Sequence, residues 1–277
     1  MEKLIIILFV MAIFPKIVFS KELAVTIDDL PIVHASAFTK KQQEIIFNKI
    51  LNTLDKFNIK IVGFVIGKEV ASHNHYMLNT LLAKGHLIGN HTYSHPYYKH
   101  VTIDFYCNDV MKGEKILESW LSEPKYFRYP MLHQGETQYK KETMKNFLLE
   151  KHYAIAHVSI DNDEWMYNDD YEKAFFNQDK NKMKKIGINY LEHMKEKTYF
   201  FELMANNKLG RNIKHVLLIH MNLLNSDYLE KLLEWYKKEK WNYITLQEAL
   251  SDPVYKIEDQ YIGDRGISFL ERIYLHP

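Results

Sequence analysis

After residue 20 the chain alternates short, unbroken apolar runs with longer segments of helical spacing, and few folds accommodate that order. The runs lie at 23–27, 59–66, 87–89, 125–129, 153–160, 215–219 and 242–245, and most are rich in the β-branched and aromatic residues that favour strands. Between the first two, Ile45, Ile46, Ile50, Leu51 and Leu54 recur at helical spacing over 42–57. Helical patterns also cover 76–84, 103–121, 140–151, 170–197 with an extension towards Asn206, 227–240 with Asn225 or Ser226 as N-cap, and 246–250. A strand that is apolar throughout is buried on both faces, the habit of parallel sheets covered by helices. The order predicts an α/β fold of seven parallel strands, closed as a barrel or open as a doubly wound sheet. No GxGxxG or Walker-type phosphate loop follows a strand, so a nucleotide-binding open sheet loses support.

Charge narrows the partners. With 36 basic and 35 acidic residues there is no basic excess of the kind nucleic-acid binding requires, and no nucleic-acid partner is expected. The run Lys180, Lys182, Lys184, Lys185 reads as a solvated helix face. The single cysteine, Cys107, excludes an internal disulfide, and its place in a helical pattern suggests a buried, inert thiol.

The first residues read as a secretory leader. Lys3 precedes an apolar run at 4–14, Pro15 breaks it, and Val18 and Ser20 occupy the positions a signal peptidase inspects. A membrane span needs about 20 apolar residues; this run is shorter and no other stretch is long enough. The expected division is a leader at 1–20, a catalytic domain at 21–251 and a tail at 252–277, rich in Tyr, Ile and Phe, that packs on the domain. Export to a periplasm or the cell exterior follows, with no stable membrane span after cleavage.

In α/β folds the working residues gather at the carboxyl ends of the strands, and here polar residues recur at five of them. The first ends in Asp28-Asp29, the third in His91-x-x-x-His95, the fourth in Arg128-Tyr129-Pro130, the fifth runs into Asp161-Asn162-Asp163-Glu164-Trp165, and the sixth ends in Leu218-x-His220. Two histidines four apart on one helical turn reach a single cation, and a carboxylate beside them completes a three-ligand site with open positions, the catalytic pattern. Arg128 can fix a carboxylate by a bidentate contact, and a histidine near a carboxylate makes an oriented acid or base. Taken singly, an Asp-Asp pair is more often a turn or cap and an isolated HxxxH arises by chance among 14 histidines. The ordered set is what carries weight.

That set resembles the polysaccharide deacetylase family, the NodB-homology or carbohydrate esterase family 4 domain, over roughly 23–250. Its motifs stand as TIDD (26–29), HTYSH (91–95), RYP (128–130), DNDEW (161–165) and LIH (218–220). The resemblance implies a distorted (β/α)7 barrel with parallel strands and a divalent metal, most commonly Zn²⁺, held by Asp29, His91 and His95. It implies Asp28 as general base held by Arg128, His220 as general acid, Trp165 and Leu218 walling an acetyl pocket, and a backbone N–H near Tyr129 facing the oxyanion. The implied substrate is a glycan carrying N-acetyl groups. Ile27 stands where the family has Phe, an apolar exchange. Glu164 stands where the family has Asp before the Trp, so tuning of His220 falls to Glu164, Asp161 or Asp163. Deacetylation of an O-acetyl ester, a glycan-binding protein without catalysis, and a non-haem iron oxygenase are the competing readings. The last usually takes its ligands as HxD and a distant His on an all-β scaffold.

Overall fold

The computed structural model describes residues 20–274; apart from Ser20, the expected leader lies outside the described residues. In chain order the elements are β1 (Lys21–Leu30), α1 (Lys40–Lys56), β2 (Val62–Val65), α2 (His75–Ala83), β3 (Leu87–Asn90), α3 (Ile103–Leu117), β4 (Lys125–Phe127), α4 (Gln138–Glu150), β5 (Tyr153–Ile155), α5 (Glu164–Phe176), α6 (Lys180–Leu209), β6 (Lys214–His220), α7 (Leu223–Lys238), β7 (Trp241–Ile244), α8 (Leu246–Leu250) and α9 (Phe269–Tyr274). Threonines open four of the helices: the side chains of Thr39, Thr102, Thr137 and Thr245 each accept a backbone N–H of the first turn.

The strands form one parallel sheet in the order β5-β4-β3-β2-β1-β6, with β7 also on β1. β6 runs beside β1 from Glu22 to Asp28, while β7 pairs with residues 21–24 of β1 and β2 with its far end. Beyond β5 the chain continues to Ile160, which bridges Leu217 of β6. The N–H groups of Ser159 and Ile160 donate to Val216 O at 3.1 and 3.0 Å. The sheet thereby returns on itself as a distorted seven-stranded (β/α) barrel with parallel strands, the closed alternative of the two the sequence allows.

Strand alternation assigns each side chain to a layer. In β1, Leu23, Val25 and Ile27 join the large core between barrel and helices, together with Ile50 and Leu54 of α1 and Leu229 and Leu233 of α7. Ala24 instead joins Val62, Phe64, Tyr126, Ala156 and Val216 in a second cluster. Thr26 and Asp28 follow Ala24 on that inner face, and in β6 Leu218 and His220 follow Val216.

Three local expectations are corrected. The helix expected through 170–197 is two helices: the chain turns at Gln178 (φ 55°), and Asp179 caps α6 by accepting Lys182 N–H. α7 begins at Leu223 with Asn222 as N-cap, so Asn225 and Ser226 lie inside its first turn. Cys107 is half-buried, 3.9 Å from Met144 Sδ, and burial raises its thiol pKa. The tail contributes Val254, Phe269, Leu270 and Ile273 to the main core. No helix among the described residues is long and apolar enough to cross a membrane.

Buried histidines give this core a pH dependence. Burial, above all, lowers His86 to about 4 and His215 to about 3. Their stabilising neutral state is complete above the unfolded value near 6.5 and is lost as pH falls below it. Each costs about 1.4 kcal/mol per pH unit there. Asp161, raised to about 6 chiefly by burial, acts in the opposite sense below that pH. Burial lowers His157 to about 3 as well, so urea titrations at pH 7 and pH 5 should show a net loss of roughly 3–5 kcal/mol; an unchanged midpoint excludes this origin of acid sensitivity.

Candidate active site and metal centre

β1 would normally send Asp28 and Asp29 to opposite faces. Instead Asp29 adopts a left-handed backbone (φ 58°) where the β1–β2 register shifts. Both carboxylates consequently line one cavity of about 760 Å³, reached also by His91, His95, Leu218 and His220.

The two imidazoles arrive by a different backbone route from the one their spacing suggests. The segment after β3 is an irregular loop, with Thr92 (φ 65°) and His95 (φ 56°) left-handed, not a helical turn. Asn90 Oδ1 accepts Thr92 N–H at 2.9 Å, and Thr92 Oγ1 accepts His95 N–H at 3.0 Å. Asp109 of α3 accepts the N–H groups of Tyr93 and Ser94 at 3.0 and 2.8 Å. α3 comes this close because residue 113 is glycine: a Cβ there would meet Asn90 Oδ1 at 2.7 Å. Sequence reasoning missed Asn90, Asp109 and Gly113, whose partners are distant in sequence or hidden in ordinary helical pattern.

Asp29, His91 and His95 form a candidate metal site, their ligand atoms all within 4.8 Å of one another. Asp29 Oδ1 stands 3.4 Å from His91 Nε2 and 3.3 Å from His95 Nε2. It is buried without a properly formed hydrogen bond, a costly state that a cation would relieve. His91 Nδ1 lies 2.8 Å from Arg128 O. A carbonyl only accepts, so Nδ1 carries the proton and Nε2 faces Asp29, the arrangement of a metal-ligating histidine. Burial lowers His95 to about 4 in spite of Asp29 beside it, keeping the imidazole in its ligating neutral form. Burial alone would raise Asp29, but His91, His95 and His220 outweigh it and hold the carboxyl well below the usual range. The donor set fits a divalent ion of the zinc type.

Asp28 is buried and rests on Arg128, itself 1% exposed. The expected bidentate fork is absent: Nη1 alone reaches both Asp28 oxygens, at 3.4 Å each. Nε donates to Ala156 O at 2.7 Å and Nη2 to Thr26 Oγ1 at 3.1 Å, so every nitrogen of the guanidinium is engaged. Arg128 is thus bolted to the barrel wall and faces Asp28 from a fixed position.

His220 lies opposite Asp28 in the β1–β6 register, with Nε2 4.0 Å from Asp29 Oδ2. Its tuning partner is Glu164, at the start of α5 and fully buried. Glu164 Oε1 accepts the His220 backbone N–H at 2.7 Å and faces its Nδ1 at 3.1 Å. Asn222 and Asn225 donate to the same carboxylate at 3.0 and 2.9 Å. Burial disfavours the imidazolium, yet Glu164, Asp29 and Asp28 overcome it and raise His220 to about 9. The other two candidates point elsewhere: Asp161 accepts Asn162 N–H at 2.9 Å on the cavity wall, and Asp163 faces Lys197 at 3.5 Å. Glu164→Gln removes the charge on which the donors of His220, Asn222 and Asn225 converge. It should cost about 1–3 kcal/mol of stability by urea titration; an unchanged midpoint would contradict the network.

Trp165, half-exposed, and Leu218 line the cavity. The ring of Tyr129 packs into the core instead, stacking on Tyr106 at 6.3 Å and meeting Phe127 edge-on at 5.0 Å, and the expected contact was with its backbone N–H. Only its backbone is left for a substrate. The tail contributes Arg265 and Gly266 to the cavity lining. It is fastened there by Lys99 on Asp264 (2.8 Å) and by Lys141 on Asp259 (3.1 Å), while Arg272 braces Asp259 from within the tail at 2.6 Å.

A parallel α/β barrel with a candidate Asp-His-His centre at its strand ends, flanked by an anchored Asp and a carboxylate-backed His, describes a class of protein. Residues 18–150, a little under half of the chain, match the family model described as polysaccharide deacetylase, in keeping with a NodB-homology or carbohydrate esterase family 4 domain. Over 145 residues it is 34% identical to a peptidoglycan-N-acetylglucosamine deacetylase of Bacillus cereus, an alignment covering 52% of this chain and 46% of that protein. The chain therefore aligns with about half the length of this relative. Among solved structures, the Bc1960 peptidoglycan N-acetylglucosamine deacetylase superposes with TM-score 0.54 at 25% identity, over 83% of this chain and 91% of that one. A family pseudoenzyme from Bacillus anthracis superposes with TM-score 0.57 at 16% identity, over 84% and 66%. The second likeness is one of fold alone, so activity has to be argued from the residues.

Proposed function

We propose that this protein is an exported, divalent-metal-dependent hydrolase that removes acetyl groups from N-acetylated sugars of an envelope glycan, with Zn²⁺ as its ion. The observation that carries the reading is the convergence of Asp29, His91 and His95 on one point beside Asp28 and His220. The substrate class draws on the peptidoglycan deacetylases among its relatives. Export rests on the leader-like residues 1–20 and on the glycan itself.

A bound ion of this type supplies Lewis acidity towards an acetyl carbonyl and eases ionisation of water. The chain's own residues do the rest. Asp28, steadied by Arg128, takes a proton from the attacking water. His220, engaged through Nδ1 by Glu164, presents Nε2 to the sugar nitrogen and protonates it as the C–N bond breaks. Water's oxygen ends on the acetyl carbon, and acetate and a free amine leave. Leu218 and Trp165 offer the methyl group an apolar wall.

The test is acetate release from a panel of N-acetylated and O-acetylated glycans, with chelator and with restored zinc. Release from N-acetyl substrates that stops on chelation and returns with zinc is the expected result. Release from esters alone would make the protein an esterase, and saturable glycan binding with no acetate would make it a binding protein.

A further inference from the structure

Of the five histidines that line the cavity, the reaction uses three, and His34 is one of the other two. His34 follows β1 in the loop leading to α1 and lines the same cavity as the candidate metal centre. Its side chain is 54% exposed, yet its Nδ1 lies 2.9 Å from Oε2 of Glu172, a carboxylate only 8% exposed. The other oxygen of Glu172 accepts from Asn168 Nδ2 at 2.7 Å, and Asn168 Oδ1 accepts Leu224 N–H at 3.1 Å. A buried carboxylate, oriented by a buried amide and by the first turn of α7, thus sets the direction of an imidazole at the cavity surface. Asn168 lies one helical turn from Trp165 and one from Glu172 on α5, so His34 belongs to the wall that carries the exposed indole.

The loop does not need this pair for its anchorage. Val33 N–H donates to Met221 O at 2.9 Å, and Gln43 Nε2 donates to Ala35 O at 2.7 Å. Phe38 packs on Phe175 and Phe176 with ring centroids 6.2 and 5.4 Å away. With the loop already held on both sides of His34, the Asn168–Glu172–His34 chain serves to aim one nitrogen. His34 Nε2 has no hydrogen bond among the described residues, and His34 and Trp165 line the same cavity. An imidazole nitrogen and an exposed indole in one cavity can together hold a sugar, hydroxyl on one and ring face on the other.

We propose that His34 is a substrate-positioning residue, fixed through Nδ1 by Glu172, whose Nε2 hydrogen-bonds a hydroxyl of a sugar ring lying against Trp165. The proposal deepens the glycan reading and rests on it for the identity of the ligand. N-acetylglucosamine oligomers titrated calorimetrically into the full chain, in parallel with steady-state acetate release, test both separately. His34→Ala should weaken binding and raise KM roughly five- to tenfold, the worth of one hydrogen bond, with a much smaller change in kcat. Two further variants separate aiming from anchoring. His34→Asn keeps a donor where Nδ1 meets Glu172 but removes the far nitrogen, and should bind as poorly as His34→Ala. His34→Gln returns a nitrogen near the Nε2 position and should recover part of the affinity. Wild-type affinity in His34→Asn would overturn the proposal, leaving His34 as a loop fastener. Oligomer binding without acetate release would sink the deacetylase reading while still testing His34; no binding by the unaltered protein sinks both.

Discussion

His220→Ala should cut acetate release by about 10²–10⁴-fold, the usual worth of a positioned proton donor, while bound-metal content stays near that of the unaltered protein. The asymmetry follows from the geometry. His220 Nε2 is 4.0 Å from Asp29 Oδ2, whereas the ligand-facing oxygen Oδ1 is approached by His91 and His95 at 3.4 and 3.3 Å. The imidazole therefore stands beside the ligand cluster without completing it. An amine is a poor leaving group until protonated, so the loss falls on the chemical step and on kcat. Because Glu164 works against burial to raise His220 above the ordinary histidine range, the donor stays charged through neutral pH, and turnover should decline on the alkaline side. Metal analysis and a pH–rate profile on the same preparations check both parts. A variant that kept its full rate would remove His220 from the mechanism.

His91→Ala or Asp29→Ala should do the reverse: metal content collapses first and activity with it, by roughly 10³-fold or more, since the ion's contribution amounts to several kcal/mol. Three ligands leave little redundancy, and His91 is also fixed from behind by the Arg128 carbonyl at 2.8 Å. Added zinc at high concentration should rescue the variants poorly, whereas chelated unaltered protein should recover fully on adding zinc. Full turnover by metal-stripped protein would end the metal-dependent account. Folding itself should survive the His91 change better than the Asp29 one, because Asp29 also sets the left-handed exit from β1.

The seven apolar runs and the polar residues at five of their ends are local patterns, and they were legible in the chain because strand burial and strand-end placement depend on spacing alone. Leu218 and His220 are two apart in β6, and a strand puts such a pair on one face wherever it sits. The same rule gave no warning that neighbouring Asp28 and Asp29 share a cavity. The HxxxH spacing suggested a helical turn, and the loop reaches a comparable result through left-handed Thr92 and His95. The helix pattern across 170–197 hid the turn at Gln178, since a short break hardly disturbs a 3.6-residue period.

The parallel α/β order and the chemical groups at the strand ends follow from periods of two and 3.6 residues, and those periods are written in the chain. How the groups face one another is not, and comes from the closed barrel. The left-handed turn at Asp29 aims two carboxylates into one cavity, Glu164 and not Asp161 or Asp163 engages His220, and the ring of Tyr129 packs on Tyr106. The physical reason is range: backbone reversals and carboxylate–imidazole contacts join residues such as 164 and 220 or 34 and 172, whose meeting depends on the closed barrel and not on any local pattern.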